Sequence, residues 1–426
     1  MKTFRAALAA TALLLTAPFA GAQNTTLTPE IKARVLDQTT QLVTERAYVP
    51  GVDFTKWSEY LAAKKKDIDD AKTDEEFASA VQDALSKFSF SHLYLHTPAA
   101  AKARVTNQTI GIGIRINPQP DGVLVVGLIP DAPAMKAGIE IGDLIIEADG
   151  KKVTGPGQIQ GTEGTKVVIK VKKSDGKTKE YTITRTKFST VRPEELSWAD
   201  KDTAVLKIYT FDLAYDSDRV EDLIKQASPA KRLIVDLRGN PGGAVFNLMH
   251  FLGTVLPDQT TLGTFVDRKL VDTYVKEKHG DPKDLKAMAE WSPNKIHIRA
   301  NKKAHFDGEI AVLVDGGSGS AAEMAAEALK EVSNAPVVGT KSAGAVLVSV
   351  MRPITDGYVL QMPITDYISV KGVRLEGNGV TPDKAIDPKK FPLFLKKGEK
   401  DPIWADAIAL LKKAESTAKA GAGSSH

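Results

Sequence analysis

Cysteine is missing from this 426-residue sequence. No disulfide can brace the chain, so its stability has to come from packed cores, which a polypeptide of this length can build. A clustered basic stripe is missing too. The net charge is +4, and short lysine groups such as Lys64-Lys65-Lys66 read as solvated helix faces. That pattern argues against a nucleic-acid partner. There is no His-Glu-x-x-His motif, and the pair His92 and His96 has no third ligand near it, so no metal or other cofactor is expected. Beyond the amino terminus, no apolar segment is long enough to span a bilayer.

What is present begins with a leader. Lys2 and Arg5 precede an apolar stretch from Ala7 to Thr16, and Ala20-Gly21-Ala22 offers a cleavage site before Gln23. Residues 1–22 therefore read as a signal peptide, whose removal lowers the net charge to +2. The protein is expected to be exported, to the periplasm or the medium, with no membrane span after cleavage.

Residues 23–103 read as an N-terminal helical domain. Thr73-Asp74-Glu75-Glu76 fits a capping box, and Phe77, Val81, Leu85 and Phe88 recur at helical spacing. Ser91-His92-Leu93-Tyr94-Leu95-His96 then alternates like a short strand. Residues 104–188 form a β-rich unit of short runs punctuated by Gly, Asp and Pro, with one helical turn that Gly138 can close. Residues 189–398 alternate strands and helices. Here 233–237 and 309–315 are nearly continuous apolar runs, expected of central strands buried on both faces. The result is an α/β core. Within it, the polar stretch 266–306 reads as an insertion. Residues 399–426 hold an amphipathic helix (403–414) and a disordered tail.

Each central strand runs into a Gly-rich turn and then a helix: Arg238-Gly-Asn-Pro-Gly-Gly243 after the first, Gly316-Gly-Ser-Gly-Ser320 after the second. Ser320-Ala321-Ala322-Glu323 is itself a capping box, so Ser320 could serve simply as a helix cap. A serine at that place also sits beside unpaired N–H groups and the positive end of the helix dipole, donors suited to an oxyanion. If the two strands belong to one parallel sheet, both turns fall at its carboxyl edge, where α/β sites form.

The stretches D-L-R-G-N-P-G-G (236–243) and G-S-G-S-A-A-E (317–323) resemble the carboxyl-terminal processing, or tail-specific, serine peptidases and their tricorn-type relatives. The β-rich unit resembles the PDZ domain of such enzymes through G-I-G-I (111–114), A-P-A-M-K-A-G-I-E-I-G-D-L-I (132–145) and D-G-K-K-V (149–153). The resemblance covers residues 40–390. It implies a ClpP/crotonase-like α/β core with an inserted PDZ domain and an N-terminal helical domain. It also implies Ser320 as nucleophile, with oxyanion donors at Ala321 and at Gly242 or Gly243. Gly111, Ile112, Gly113 and Ile114 would bind a peptide terminus. Protein or peptide substrates are implied; an oligomeric state is not.

One position departs from the usual Ser-Lys dyad. Aligned on Gly339 and Gly344, the lysine's place is taken by Ala345, and Lys341 lies four residues earlier. A serine hydroxyl needs a base, and histidine suits neutral pH. His250 falls on a helix, His279, His297 and His305 fall in the polar stretch, and His426 falls in the tail, which leaves His92 and His96. The tricorn-type branch uses a Ser-His pair upstream and a Glu downstream. Ser91-His92 and Glu376 resemble these, giving His92 as general base oriented by Glu376 and Ser91. In the PDZ unit, Pro156 and two glycines argue against the helix that normally lines the peptide groove. Three alternatives stay open: a catalytically silent PDZ-bearing scaffold, a binder of small hydrophobic ligands, and a Ser320-Lys341 dyad.

Overall fold

The computed structural model describes residues 27–387 and 399–422, with side chains as far as residue 413. The leader read at residues 1–22 and the last four residues of the tail lie outside the described residues.

The chain opens with helices at Pro29–Glu45, Trp57–Ala62, Lys65–Asp70 and Asp74–Leu85. The capping box at Thr73 forms: its hydroxyl accepts from Glu76 N–H at 3.1 Å, and the Glu76 carboxylate accepts from Thr73 N–H at 3.3 Å. Phe77, Val81 and Leu85 are buried, each contributing about 2 kcal/mol by area. These helices share one core with the sheet beside them. They pack on the face of an antiparallel sheet, where Trp57 and Phe77 share a cluster with Leu93, Leu347, Tyr358, Leu360 and Met362. This packing fixes the segment after the last helix, which leads to a short strand β1 (Tyr94–His96) and then helix α1 (Pro98–Thr106).

Next comes the β-rich unit. Its entering strand Gln108–Gly111 pairs antiparallel with its leaving strand Thr186–Ser189, so the unit is tied off at its base. Inside, Ile114–Gln119 (β2) forms one edge of a sheet that continues through Gly122–Leu128, Leu144–Ala148, Lys166–Lys172 and Thr178–Thr184. Gly138, at φ +87°, ends the helical turn Pro133–Ala137 in the left-handed region that favours glycine. Where a groove-lining helix would stand there is a single 3-10 turn, Pro156–Gln158.

The core sheet contains β3 (Glu195–Asp200), β4 (Thr203–Lys207), β5 (Arg232–Asp236), β7 (Glu309–Val314), β8 (Val337–Gly339) and β11 (Lys384–Ala385), hydrogen-bonded in that order. All neighbours are parallel except the antiparallel pair β3–β4. All of β5 and most of β7 are buried, as their apolar runs predict. Between them lie helix α2 (Val245–Gly253) and strand β6 (Thr261–Asp267), and after β7 comes helix α3 (Ala321–Ser333). The second sheet joins β1, β6 and β9 (Val348–Pro353) to the long strand β10 (Val359–Ser369). A terminal helix α4 (Ile403–Ala422) lays Ile403, Ala407 and Leu411 on the core sheet. It runs past the 403–414 stretch read from the sequence and into the tail.

The stretch 266–306 is more than a polar insertion. Its first residues complete β6, which pairs with β10 from Gly263↔Ser369 to Asp267↔Thr365. Val266, Val271, Met288 and Ala289 then form a small apolar cluster with Ile368. The apolar positions are spaced too widely among lysines and aspartates to register as a buried face.

Candidate active site

Both Gly-rich turns sit at the carboxyl ends of β5 and β7, and they are cross-braced there. Asp315 Oδ1 accepts from Gly239 N–H at 2.8 Å and from Gly317 N–H at 2.9 Å. Ser318 Oγ donates to Leu237 C=O at 2.9 Å and accepts from Asp315 N–H at 2.9 Å. Ser318 is therefore a staple between turns, which removes it as a rival nucleophile. Asn240, fully buried, accepts from Gly319 N–H through its carbonyl at 2.9 Å and donates to Ile208 C=O at 3.1 Å.

Beneath the first turn lies a buried charge cluster. Asp236 accepts from Lys207 Nζ at 2.9 Å and from Arg238 Nε at 2.9 Å, and Arg238 reaches on to Asp401 at 2.6 Å, just before α4. Burial alone would raise the Asp236 pKa, but Lys207 and Arg238 outweigh it and hold the carboxyl down at about 2. Removing one partner strands the other charges. Asp236→Ala should cost about 3–5 kcal/mol in a denaturant titration, whereas a loss under about 1 kcal/mol would show that water rescues the cations.

Ser320 is held in an unusual backbone conformation, φ +53° and ψ −120°. A non-glycine residue there costs of order 1–3 kcal/mol and persists only when its surroundings fix it. They do: Ser320 N–H donates to Ala345 C=O at 2.8 Å and to Glu323 Oε2 at 3.0 Å. The carboxylate half of the expected capping box is thus present. The Ser320 hydroxyl makes no side-chain cap. It turns instead to His92 Nε2 at 3.0 Å.

His92 follows the N-terminal helices and has φ +62°. Its Nδ1 is 2.6 Å from Ser91 Oγ, which donates to Glu376 Oε2 at 2.8 Å. A carboxylate only accepts, so the Ser91 proton points to Glu376, and its lone pair takes the proton of His92 Nδ1. That leaves the lone pair of Nε2 facing Ser320. The buried Glu376 is itself fixed by Ser91 N–H at 2.8 Å and Val346 N–H at 2.7 Å. Burial pushes the His92 imidazole below its ordinary 6.5, with Glu376 pulling the other way. The chain of four residues puts Ser91 between His92 and Glu376, in hydrogen-bond contact with both. Ser91→Ala should lower kcat roughly 100-fold with little change in KM. A variant that keeps full kcat would show that Glu376 acts without it.

The donors for an oxyanion are narrowed by what each N–H already does. Gly242 N–H donates to Asn240 Oδ1 at 2.8 Å. The N–H groups of Ala321 and Gly243 donate to no protein acceptor within the described residues. Gly243 is exposed and Gly242 is buried against Ser320. The open pair is therefore Ala321 with Gly243, and Gly242 supplies clearance: a Cβ on it would lie 2.6 Å from Ser320 Cβ.

The remaining sequence candidates fall elsewhere. Ala345 occupies the lysine's place and meets Ser320 through its backbone, as given above, while Lys341 is exposed. His96 bonds Gln361, His250 bonds Tyr215 and Glu221, His297 bonds Thr261, and His305 bonds the Gly253 carbonyl. In the β-rich unit, the Ile112 and Gly113 carbonyls accept from Ala134 and Ile129, while their N–H groups donate to no protein acceptor within the described residues. Among those residues, no group of three or more histidines or carboxylates is arranged to hold a metal ion.

Two residues had no functional signal in the sequence. Glu323, fully buried, also accepts from Ser342 Oγ at 2.5 Å, Gly344 N–H at 2.7 Å and Ala345 N–H at 2.9 Å. It ties the 342–345 loop to the start of α3. Asn240 occupies the Gly242 N–H. The capping-box pattern marks Glu323 but not its second set of partners.

Residues 202–386 match Peptidase family S41, and residues 124–173 match a PDZ domain. A "Probable CtpA-like serine protease" of Staphylococcus saprophyticus is 26% identical over 295 residues, covering 67% of this chain and 55% of the relative. One of Staphylococcus aureus is 28% identical, covering 67% and 54%. The chain thus spans about half the length of the curated relatives it matches. Among solved structures, mature CPAF complexed with lactacystin superposes with a TM-score of 0.52 at 14% identity, covering 91% of this chain and 98% of CPAF. The tricorn protease superposes with a TM-score of 0.50 at 17% identity, covering 90% of this chain and 37% of tricorn. At these identities the structures establish the fold.

Proposed function

We propose that this chain, whose residues 202–386 belong to peptidase family S41 and whose residues 124–173 are a PDZ domain, is an exported serine endopeptidase that cleaves protein or peptide chains. The observation that carries the reading is the unbroken line Ser320–His92–Ser91–Glu376, with contacts of 3.0, 2.6 and 2.8 Å. In it, Ser320 Oγ attacks the carbonyl carbon of a peptide bond while His92 Nε2 takes its proton. The carbonyl oxygen becomes an oxyanion received by the Ala321 and Gly243 N–H groups. His92 returns the proton to the departing amine. Water, deprotonated by the same imidazole, then releases the acyl group.

An extended substrate has a place to lie. Strand β9 begins three residues after Ala345 and pairs with β10 alone among the described strands. Its outer edge offers main-chain partners to an added strand. Ile112 and Gly113 on the PDZ unit present free donors to a terminal carboxylate, but the 3-10 turn at 156–158 leaves the side of that groove short. Export through residues 1–22 belongs to the same reading, as does a division of the remaining chain into units 23–103, 104–188, 189–398 and 399–426.

The direct test is to incubate the purified protein, without residues 1–22, with a fluorophosphonate and with an unfolded polypeptide. Labelling at Ser320 and cleavage are expected, both lost in Ser320→Ala and both retained in Lys341→Ala. Loss in Lys341→Ala would revive the dyad. No labelling and no cleavage by the wild type would leave a PDZ-bearing scaffold.

A further inference from the structure

Among the described residues, the three most exposed large apolar side chains are Phe246, Val105 and Leu213, at 65%, 55% and 52%. Single exposed hydrophobics are ordinary on a protein surface. These three are not scattered. Arg104, next to Val105 on α1, grips Asp212 with two bonds of 2.9 Å. Leu213 follows Asp212. Asn247, next to Phe246 in the first turn of α2, donates to Phe211 C=O at 2.8 Å and to Asp212 C=O at 3.2 Å. All three side chains are therefore carried by residues that neighbour one loop, 211–213.

That loop is also the support of the oxyanion turn. Phe211 N–H donates to Gly242 C=O at 2.8 Å, and Ala244 N–H donates to Phe211 C=O at 2.9 Å. Gly243 lies so close to the loop that a Cβ on it would fall 2.1 Å from Asp212 N. The exposed Gly243 and the segments that carry the three apolar side chains are thus tied by hydrogen bonds to one loop. The charges woven into it, Arg104 and Asp212, neutralise each other, so the patch favours neither an acidic nor a basic occupant.

We propose that Phe246, Leu213 and Val105 form an apolar platform that receives an apolar side chain of the substrate close to the scissile bond, and so set cleavage specificity. This rests on the endopeptidase reading. The occupant is an extended, unfolded polypeptide, because a chain held at Ser320 with its carbonyl at the Gly243 N–H passes the start of α2, where Phe246 stands three residues after Gly243. A leucine- or phenylalanine-sized group fills such a surface, and loss of that contact is worth roughly 10–200-fold in selectivity.

The test is cleavage-site mapping on a mixed peptide library, with the wild type and the double variant Phe246→Ser/Leu213→Ser. Both residues are exposed, so the fold should tolerate the change. The wild type should enrich Leu, Ile, Met or Phe at one position within two residues of the cut. In the double variant kcat/KM for those peptides should drop roughly 10–200-fold, while fluorophosphonate labelling of Ser320 keeps its rate. Labelling without apolar enrichment, or enrichment unchanged in the variant, overturns this inference alone. Absence of labelling in the wild type sinks the endopeptidase reading and this inference with it. A dimer that falls apart in the variant with unchanged cleavage would assign the platform to self-association instead.

Discussion

His92→Ala is expected to lower kcat/KM by about 10⁴-fold or more, with the protein still folded. Among the described residues, the base in hydrogen-bond contact with Ser320 Oγ is His92, through Nε2 at 3.0 Å. Ala345 carries no amine at the position aligned with the lysine of a Ser-Lys dyad, and Lys341 is exposed. Without the imidazole the hydroxyl keeps its proton at neutral pH and is a poor nucleophile. The effect should fall on kcat, because the histidine acts on the reacting proton and not on substrate binding. A residual rate of order 10³-fold over water would remain from the oxyanion donors and positioning. If His92→Ala keeps more than about a tenth of wild-type activity, some other group takes the proton.

Gly242→Ala should be nearly as damaging, for a different reason. Gly242 has φ +92°, and its added Cβ would lie 2.6 Å from Gly319 C=O, 2.6 Å from Ser320 Cβ and 2.8 Å from Ala321 N. Each separation is shorter than any relaxed contact. Two of the three neighbours are backbone, held by the braces between the turns, so the strain moves the turn or Ser320. Losing one oxyanion donor costs about 10²–10³-fold in kcat, and displacing the nucleophile as well should take the loss to the upper end or beyond. Gly239→Asn is the control. That glycine has φ +66° but open space around its Cβ position, and asparagine tolerates the left-handed region. Near-normal kcat in Gly239→Asn with collapse in Gly242→Ala would assign the damage to crowding at Ser320.

The two turns that frame Ser320 could be read from the chain because their signals are local, whereas Ser91, His92 and Glu376 could be read only through the family resemblance. The runs at 233–237 and 309–315 are apolar without alternation, which marks central strands, and glycine-rich turns after them mark the sheet edge. What could not be read is what crosses the fold. The polar stretch 266–306 completes β6 because β10, about a hundred residues later, offers it a partner. Glu323 advertises a helix cap, yet most of its hydrogen bonds go to residues 342–345. Asn240 looks like part of a turn, and its hold on Gly242 N–H shifts the open donor to Gly243. The partners of His92 are likewise remote, since Ser320 lies 228 residues away in the chain and Glu376, held by Ser91, lies 285 residues from that serine.

The most direct measurement is the rate of fluorophosphonate labelling at Ser320 as a function of pH. The reactive form of His92 is the neutral one. Because burial lowers its pKa below the ordinary 6.5, the base stays neutral further into acid than a free imidazole would. The rate should be flat from pH 7 to 8 and half-maximal below pH 6.5, then fall about tenfold per unit. The same profile should vanish in His92→Ala. A rate still climbing tenfold per unit above pH 8 would mean that an amine activates Ser320 and that the line through His92, Ser91 and Glu376 is not the catalytic one.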